Sequence, residues 1–290
     1  MLNDLIKLSR PYQYTKNLFV FIPAFFAFQF TDAGLMIKAL IAFVGFSLSA
    51  SAVYIFNDWI DRHEDAQHPE KKHRPLAAGR INAPVAFSLL ALLLLGGGSA
   101  ALLISSNTFF LILTYLILNL AYTIKLKHIA IIDIAIISSG FVLRLLVGAE
   151  ATQVDLSHWI IIMTFLLALF LSLAKRRDDV LIYLITDQKM RKVIDGYNLK
   201  FLDAAMIMTS SIVVVAYILW SISPEVIARL NTQNVYLTAL FVVLGIMRYM
   251  QIAFVEEKSG NPSKVLLKDR FIQLTLLSWV SVFVWILYLG

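Results

Sequence analysis

Long apolar runs are the first thing this chain must accommodate. A helix needs about 20 apolar residues to cross a bilayer, and such stretches recur at roughly 36–56, 83–104, 107–124, 129–149, 157–174, 203–223, 233–254 and 271–289. A shorter run at 17–31 is interrupted by Pro23. With 59% hydrophobic and 15% charged residues, and a mean hydropathy of +0.77, the chain has too little polar surface for a soluble protein of its length. The expected fold is all-α: a polytopic membrane protein with a bundle of nine transmembrane helices. The first run follows Lys16 and lacks a small-residue cleavage site, so it reads as part of the fold and not as a detachable signal.

Basic residues set the orientation. With the N-terminus in the cytoplasm and the C-terminus outside, 22 of the 25 Lys and Arg fall on the cytoplasmic side, Lys189 and Arg191 among them. The exceptions are Lys38, Arg144 and Arg229. The net charge of +6 thus collects where anionic lipid or a phosphorylated substrate would meet it, and needs no nucleic acid to explain it. The absence of cysteine excludes disulfides, thiolate metal sites and a cysteine nucleophile.

One stretch breaks the apolar pattern. Asn57-Asp58-Trp59-Ile60-Asp61-Arg62-His63-Glu64-Asp65 follows the second span, and Lys71-Lys72-His73-Arg74 comes soon after, with His68-Pro69 as the expected helix break. On a continuous helix Asn57, Asp58, Asp61 and Asp65 lie three or four residues apart, which puts their oxygens on one stripe. Hard oxygen ligands in that arrangement suit Mg²⁺ held together with substrate phosphates. Lys71, Lys72 and Arg74 suit the phosphates themselves. The second span is rich in small residues (Ser47, Ser49, Ala50, Ser51, Ala52), which suits the bundle interior.

Other polar residues carry two readings each. Lys16 either anchors the first span at the headgroups or reaches a phosphate. Asn119 and Tyr122 share a face at the end of the fourth span, where they serve equally as substrate contacts or as glue between helices. Asp133 and Arg144 sit on one face of the fifth span, about 16 Å apart along the axis, too far to pair; Asp133 suits the polar site and Arg144 a structural role. Gly96-Gly97-Gly98 gives the third span a weak point or a close-packing face. Lys175-Arg176-Arg177 at the end of the sixth span is either a topology signal or a phosphate contact, and Lys127 closes the fourth span.

With nine spans and Asn57-Asp58-x-x-Asp61-x-x-x-Asp65 after the second, the chain resembles the UbiA superfamily of intramembrane prenyltransferases. That resemblance implies a single integral-membrane transferase domain over residues 1–290, and an isoprenoid diphosphate bound through Mg²⁺ by two aspartate-rich motifs, on loops 2–3 and 6–7. The second motif departs from the pattern: Lys175-Arg176-Arg177 precedes adjacent Asp178 and Asp179, which on a helix point about 100° apart. The departure resembles the decaprenyl-phosphate phosphoribosyltransferase branch. So do Arg10-Pro11 through Lys16-Asn17, Asn57 through Arg74-Pro75, Leu126-Lys127 with Asp133, Gly140 through Arg144, and Arg248-Tyr249 with Leu267 through Arg270.

This branch implies phosphoribosyl diphosphate (PRPP) as donor and a polyprenyl phosphate as acceptor. It implies Asp58, Asp61 and Asp65 as catalytic Mg²⁺ ligands with Asn57 beside them. The substrate contacts would be Lys16, Asn57, Lys71, Lys72, Arg74, Tyr122, Lys127, Asp133, Lys175, Arg176 and Arg177. It further implies a bacterial cytoplasmic membrane, with the site facing the cytoplasm and room for a homo-oligomer. Two alternatives stand beside it. One is a prenyltransferase acting on an aromatic or other acceptor, which lacks its spaced second motif here. The other is a transporter or lipid-binding protein, whose polar residues should line a path across the membrane and not crowd on one side.

Overall fold

A backbone in hydrocarbon has no water to bond to, so its amides must pair within their own segment. The computed structural model describes residues 1–27, 31–67, 71–187 and 192–288, and among these it contains helices and no strand. In order they are α1 (Leu2–Ser9), a 3-10 helix (Pro11–Phe21) running into α2 (Ile22–Phe26), α3 (Ala33–Gln67), α4 (Ala83–Leu102), α5 (Ser106–Ile124), α6 (Ile132–Thr152) and α7 (His158–Thr186). Then follow α8 (Leu199–Ser221), α9 (Pro224–Leu230), α10 (Ala239–Phe254), α11 (Pro262–Lys268) and α12 (Arg270–Tyr288), with short 3-10 turns between.

Seven helices among the described residues are long and apolar enough to cross a membrane: α3 to α8, and the unit Asn234–Phe254 that contains α10. The last expected span coincides with α12, whose apolar stretch Arg270–Ile286 is shorter. The first expected span takes another form, with eleven residues wound as a 3-10 helix and only Ile22–Phe26 as α. Pro11 and Pro23 bracket a run of aromatic and β-branched residues with modest helix propensity, and tertiary bonds fix its backbone. The residues at 28–30, the His68–Pro69 break, Lys189 and Arg191, and Leu289 at the end of the ninth expected span lie outside the described residues.

Contacts divide the chain into two units, one of residues 1–127 with 139–156, the other of 128–138 with 157–290. In the first unit α3 is the axis. Its small residues Ser47, Ser49, Ala50, Ser51 and Ala52 are buried. The α4 backbone comes so close at Gly97 that a Cβ there would lie 2.3 Å from Ser49 Oγ, so this glycine run is a packing face. The rings of Phe46 of α3 and Tyr115 of α5 pack at a tilt with centroids 4.5 Å apart.

The 3-10 segment is bonded into this unit by a chain of polar groups. Asn17 donates to Ser47 Oγ at 2.9 Å and accepts from Arg144 Nε at 2.8 Å. The Arg144 guanidinium also donates to the Gly140 carbonyl at 2.7 Å and lies over the rings of Phe46, Tyr115 and Phe141. Arg144 therefore clamps the N-terminal segment to α6. Three residues further along that segment, Val20 presses on α6 at Gly148, where a Cβ would stand 2.0 Å from the Val20 carbonyl oxygen.

In the second unit Phe170, Leu173, Met206, Tyr249, Ile252 and Ile272 share a core with Ile134. Asp269 caps α12 by accepting from the Ile272 amide at 2.9 Å and pairs with Arg248 at 2.7 Å.

Because backbone stands where the new methyl would go, Gly148→Ala should destabilise the protein by about 1–3 kcal/mol. A lowered unfolding midpoint in detergent micelles would record this. Gly98→Ala is the control: the nearest atom to its Cβ is a Phe109 ring carbon at 3.5 Å, and its midpoint should stay at or slightly above wild type.

Candidate active site

The acidic stripe forms because α3 does not stop at the end of its apolar stretch. It runs on to Gln67, carrying Asn57, Asp58, Asp61 and Asp65 on successive turns. Carboxylates leaving an apolar bundle need counter-charges, and each of these has them. Asp58, only 2% exposed, accepts hydrogen bonds from Arg10 and, at 3.0 Å, from Arg74. The same Arg74 nitrogen donates to Asp65 at 2.6 Å, and Lys71 lies 3.7 Å from the other Asp65 oxygen. Asp61 accepts from Lys127 at 2.5 Å and from the Asn57 amide at 3.1 Å. Thr123 Oγ1 donates to Asn57 at 3.3 Å.

Four cations from three separate segments thus share three carboxylates, and the first loop's expected basic residues Lys71 and Arg74 reach the stripe. Lys72 is exposed, and Lys16 and Tyr122 are half-buried. Two residues outside the predicted set join the stripe. Thr123 sits next to the predicted Tyr122, but its hydroxyl is the one that meets Asn57. Arg10 ends α1 in the left-handed conformation, φ 51°, an arrangement that non-glycine residues keep only when their surroundings hold it. Its own burial would lower its pKa, but the Asp58 carboxylate more than offsets this and the guanidinium is held charged. In the sequence Arg10 stands out only as the start of the Arg10-Pro11 through Lys16-Asn17 stretch that resembles the branch.

The predicted residues of the sixth span and Asp133 assemble within the second unit. Asp133, fully buried, accepts from Arg176 Nε at 2.7 Å and from the Tyr197 hydroxyl at 2.6 Å. Burial, and then this bond to Asp133, push the Tyr197 phenol up. Arg176 also donates to Asp179 at 2.7 Å. Arg177 donates to Asp203 and to the Ala253 carbonyl, both at 2.7 Å. Lys175 is exposed, while Arg176 and Arg177 are buried. The adjacent aspartates take different partners, Asp179 the guanidinium of Arg176 and Asp178 the backbone amide of Gly260.

The oxygen donors of the stripe suit a hard divalent cation in their chemistry. Among the described residues no three His, Cys, Asp or Glu side chains converge closely enough to hold a metal. The carboxylates fit such an ion only by exchanging their present cationic partners for it.

Residues 18–287 match the model of the UbiA prenyltransferase family. The chain is 31% identical over 291 residues to a decaprenyl-phosphate phosphoribosyltransferase of Mycolicibacterium smegmatis, covering 97% of this chain and 91% of the relative. It is also 31% identical over 292 residues to one of Corynebacterium glutamicum, covering 99% and 87%. Its fold is similar to that of a UbiA homolog from Archaeoglobus fulgidus bound to GPP and Mg²⁺, with a TM-score of 0.73 at 18% identity over 98% of this chain and 99% of the other.

Breaking a buried pair leaves a bare charge, at a cost of about 3–5 kcal/mol. Arg176→Met should therefore destabilise the protein strongly, and adding Asp133→Asn should restore much of the loss. A double-mutant cycle on unfolding midpoints reads the coupling between the two residues.

Proposed function

This chain belongs to the UbiA prenyltransferase family, and from that premise we propose that it transfers a 5-phosphoribosyl group from PRPP to a polyprenyl phosphate. It is a multi-pass membrane enzyme, a transferase. The proposed products are polyprenyl-phosphoryl-5-phosphoribose and diphosphate. The observation that carries the reading is the set of four cations, Arg10, Lys71, Arg74 and Lys127, gathered on the three stripe carboxylates. Near-full-length similarity to two phosphoribosyltransferases supports it.

A divalent cation, Mg²⁺ in this reading, would be held by Asp58, Asp61 and Asp65 with Asn57 as auxiliary ligand or orienter, and would neutralise the diphosphate as it leaves. The chain's own residues do the rest. Arg74, Lys71 and Lys127 are bonded to carboxylates, and in this reading transfer those bonds to phosphate oxygens when the donor binds. An oxygen of the lipid phosphate attacks the anomeric carbon of the ribose, forming one C–O bond as the bond to diphosphate breaks. The nucleophile is already an anion, so no general base is required. Positioning and charge neutralisation supply most of the acceleration. We assign Lys16, Lys72 and Tyr122 as further substrate contacts, and the exposed Lys175 as a phosphate contact of the second motif. For Arg176 and Arg177, buried as well as bonded to Asp133, Asp179 and Asp203, we propose a positioning role beside the second motif in place of the direct contact expected. In the proposed topology all nine apolar segments lie in a bacterial cytoplasmic membrane, with the N-terminus and the acidic stripe on the cytoplasmic side.

Asp61→Asn should lower PRPP-dependent product formation by on the order of 10²-fold, measured by mass spectrometry of lipid from membranes given Mg²⁺, PRPP and polyprenyl phosphate. Unchanged turnover would remove Asp61 from the site. A parallel incubation with an isoprenoid diphosphate and an aromatic acceptor tests the prenyltransferase alternative; product there and none with PRPP would replace the reading.

A further inference from the structure

Beside the acidic stripe, α1 and the turn at residues 73–75 border a groove of about 490 Å³, of which the reaction as described uses only the wall formed by Asp58 and Arg74. Among the described residues its polar lining is Lys7, Arg10 and Arg74, with His73 beside them, against the acid Asp58. Arg10 and Arg74 are bonded to that acid. Lys7 and His73 are exposed and have no acidic partner among the described residues. The remaining wall is largely apolar, formed at its rim by Ile6 and Tyr12, 51% and 67% exposed.

The helix that builds the groove has two unlike faces. Leu8 is buried in a cluster with Ile55, Leu76 and Ile81, and Leu5 packs against it, while Met1, Leu2 and Ile6 stay exposed. A short helix with an unpartnered apolar edge and a lysine beside it suits the boundary between headgroups and acyl chains.

We infer that this groove is a phosphate-monoester subsite, with Lys7 and His73 as its specificity-determining residues and the acceptor lipid's phosphate as its occupant. A phosphate monoester carries between one and two negative charges at neutral pH and is best met by donors from more than one direction. Here α1 supplies Lys7 and the 73–75 turn supplies His73 and Arg74. A sugar phosphate would ask for polar partners to its hydroxyls, whereas the rim offers a hydrocarbon path past Ile6 and Tyr12, as an isoprenoid chain requires. Because Asp58 is part of the wall, a phosphate bound here lies beside the carboxylates assigned to the donor's diphosphate. The assignment to an acceptor rests on the transfer reading given above.

The test is Lys7→Ala with His73→Ala, singly and together, and Lys7→Arg as the rescue, in purified protein in detergent micelles. Neither side chain is buried, and neither is bonded to an acid among the described residues, so thermal midpoints should match wild type. Loss of a charge-assisted contact predicts a KM for polyprenyl phosphate raised about 10-fold in the double variant, with the KM for PRPP unchanged and Lys7→Arg largely restored. A rise confined to PRPP would overturn the lipid assignment in favour of the donor's 5-phosphate, and no rise in either would overturn the subsite. Equilibrium binding of farnesyl phosphate, with farnesol as the uncharged control, separates this inference from the reaction. Lys7-dependent binding of farnesyl phosphate without any PRPP turnover would sink the transfer reading and keep the groove. Equal binding of farnesyl phosphate to wild type and the double variant would sink the groove.

Discussion

An apolar bundle cannot leave a carboxylate unpaired, and Arg74 is the residue through which this chain meets that constraint. Asp58 and Asp65 are seven residues apart on α3, almost two turns, yet one Arg74 nitrogen bonds both. To do so the 71–74 segment must fold back along the helix that precedes it. Arg10 and Lys127 complete the arrangement from the end of α1 and from the segment after α5. Charge pairing therefore fixes where three separate pieces of backbone lie. Such pairs rarely stabilise a fold more than apolar side chains of the same size would. A set this extensive is better accounted for by what it can bind.

The second unit obeys the same rule with the opposite consequence. Asp133 is fully buried and receives both a guanidinium and a phenol hydroxyl, while Arg176, 1% exposed, is shared between Asp133 and Asp179. None of these groups can leave without stranding another in a dry interior, where an unpaired polar atom costs most. Asp61 and Lys127, by contrast, are half-buried and Arg74 is reachable from solvent. The first set is able to exchange partners and the second is a lock. Asp58 and Asp65 are as deeply buried as Asp133, so the difference lies in the cations: Lys71, Arg74 and Lys127 are partly open to solvent, whereas Arg176 is not.

What could be read in advance follows from which interactions are local. Helical spacing placed Asn57, Asp58, Asp61 and Asp65 on one stripe without any knowledge of tertiary structure, and small residues marked α3 as interior. Nearness in sequence put Lys71 and Arg74 beside the acids. Arg10, 48 residues from the carboxylate it bonds, left no periodic trace; it stood out only within a stretch that resembles the branch. Thr123 was hidden by its neighbour Tyr122, since choosing between adjacent helical positions requires the exact rotation of α5. The helical form of the first apolar run was not legible for a related reason. Hydropathy counts apolar residues but does not see Arg144 and Gly148, whose contacts with Asn17 and Val20 hold the segment as a 3-10 helix.

The departure at the second motif bears on which donor the site favours. Asp178 and Asp179 diverge to a backbone amide and to a guanidinium, as adjacent helical positions must, so they do not form a pair of ligands for one ion. A donor that depends on two carboxylate-held metals is poorly served by such a motif. PRPP brings a 5-phosphate as well as a diphosphate, and a lipid phosphate adds a third anionic group. In a medium of low dielectric each added anion raises the need for fixed positive charge steeply. In the proposed reaction the cations on the acidic stripe, with Lys7 in the adjoining groove, would supply that charge without assembling it from solution. The energetic problem of bringing three phosphate-bearing groups together is then met before the substrates arrive.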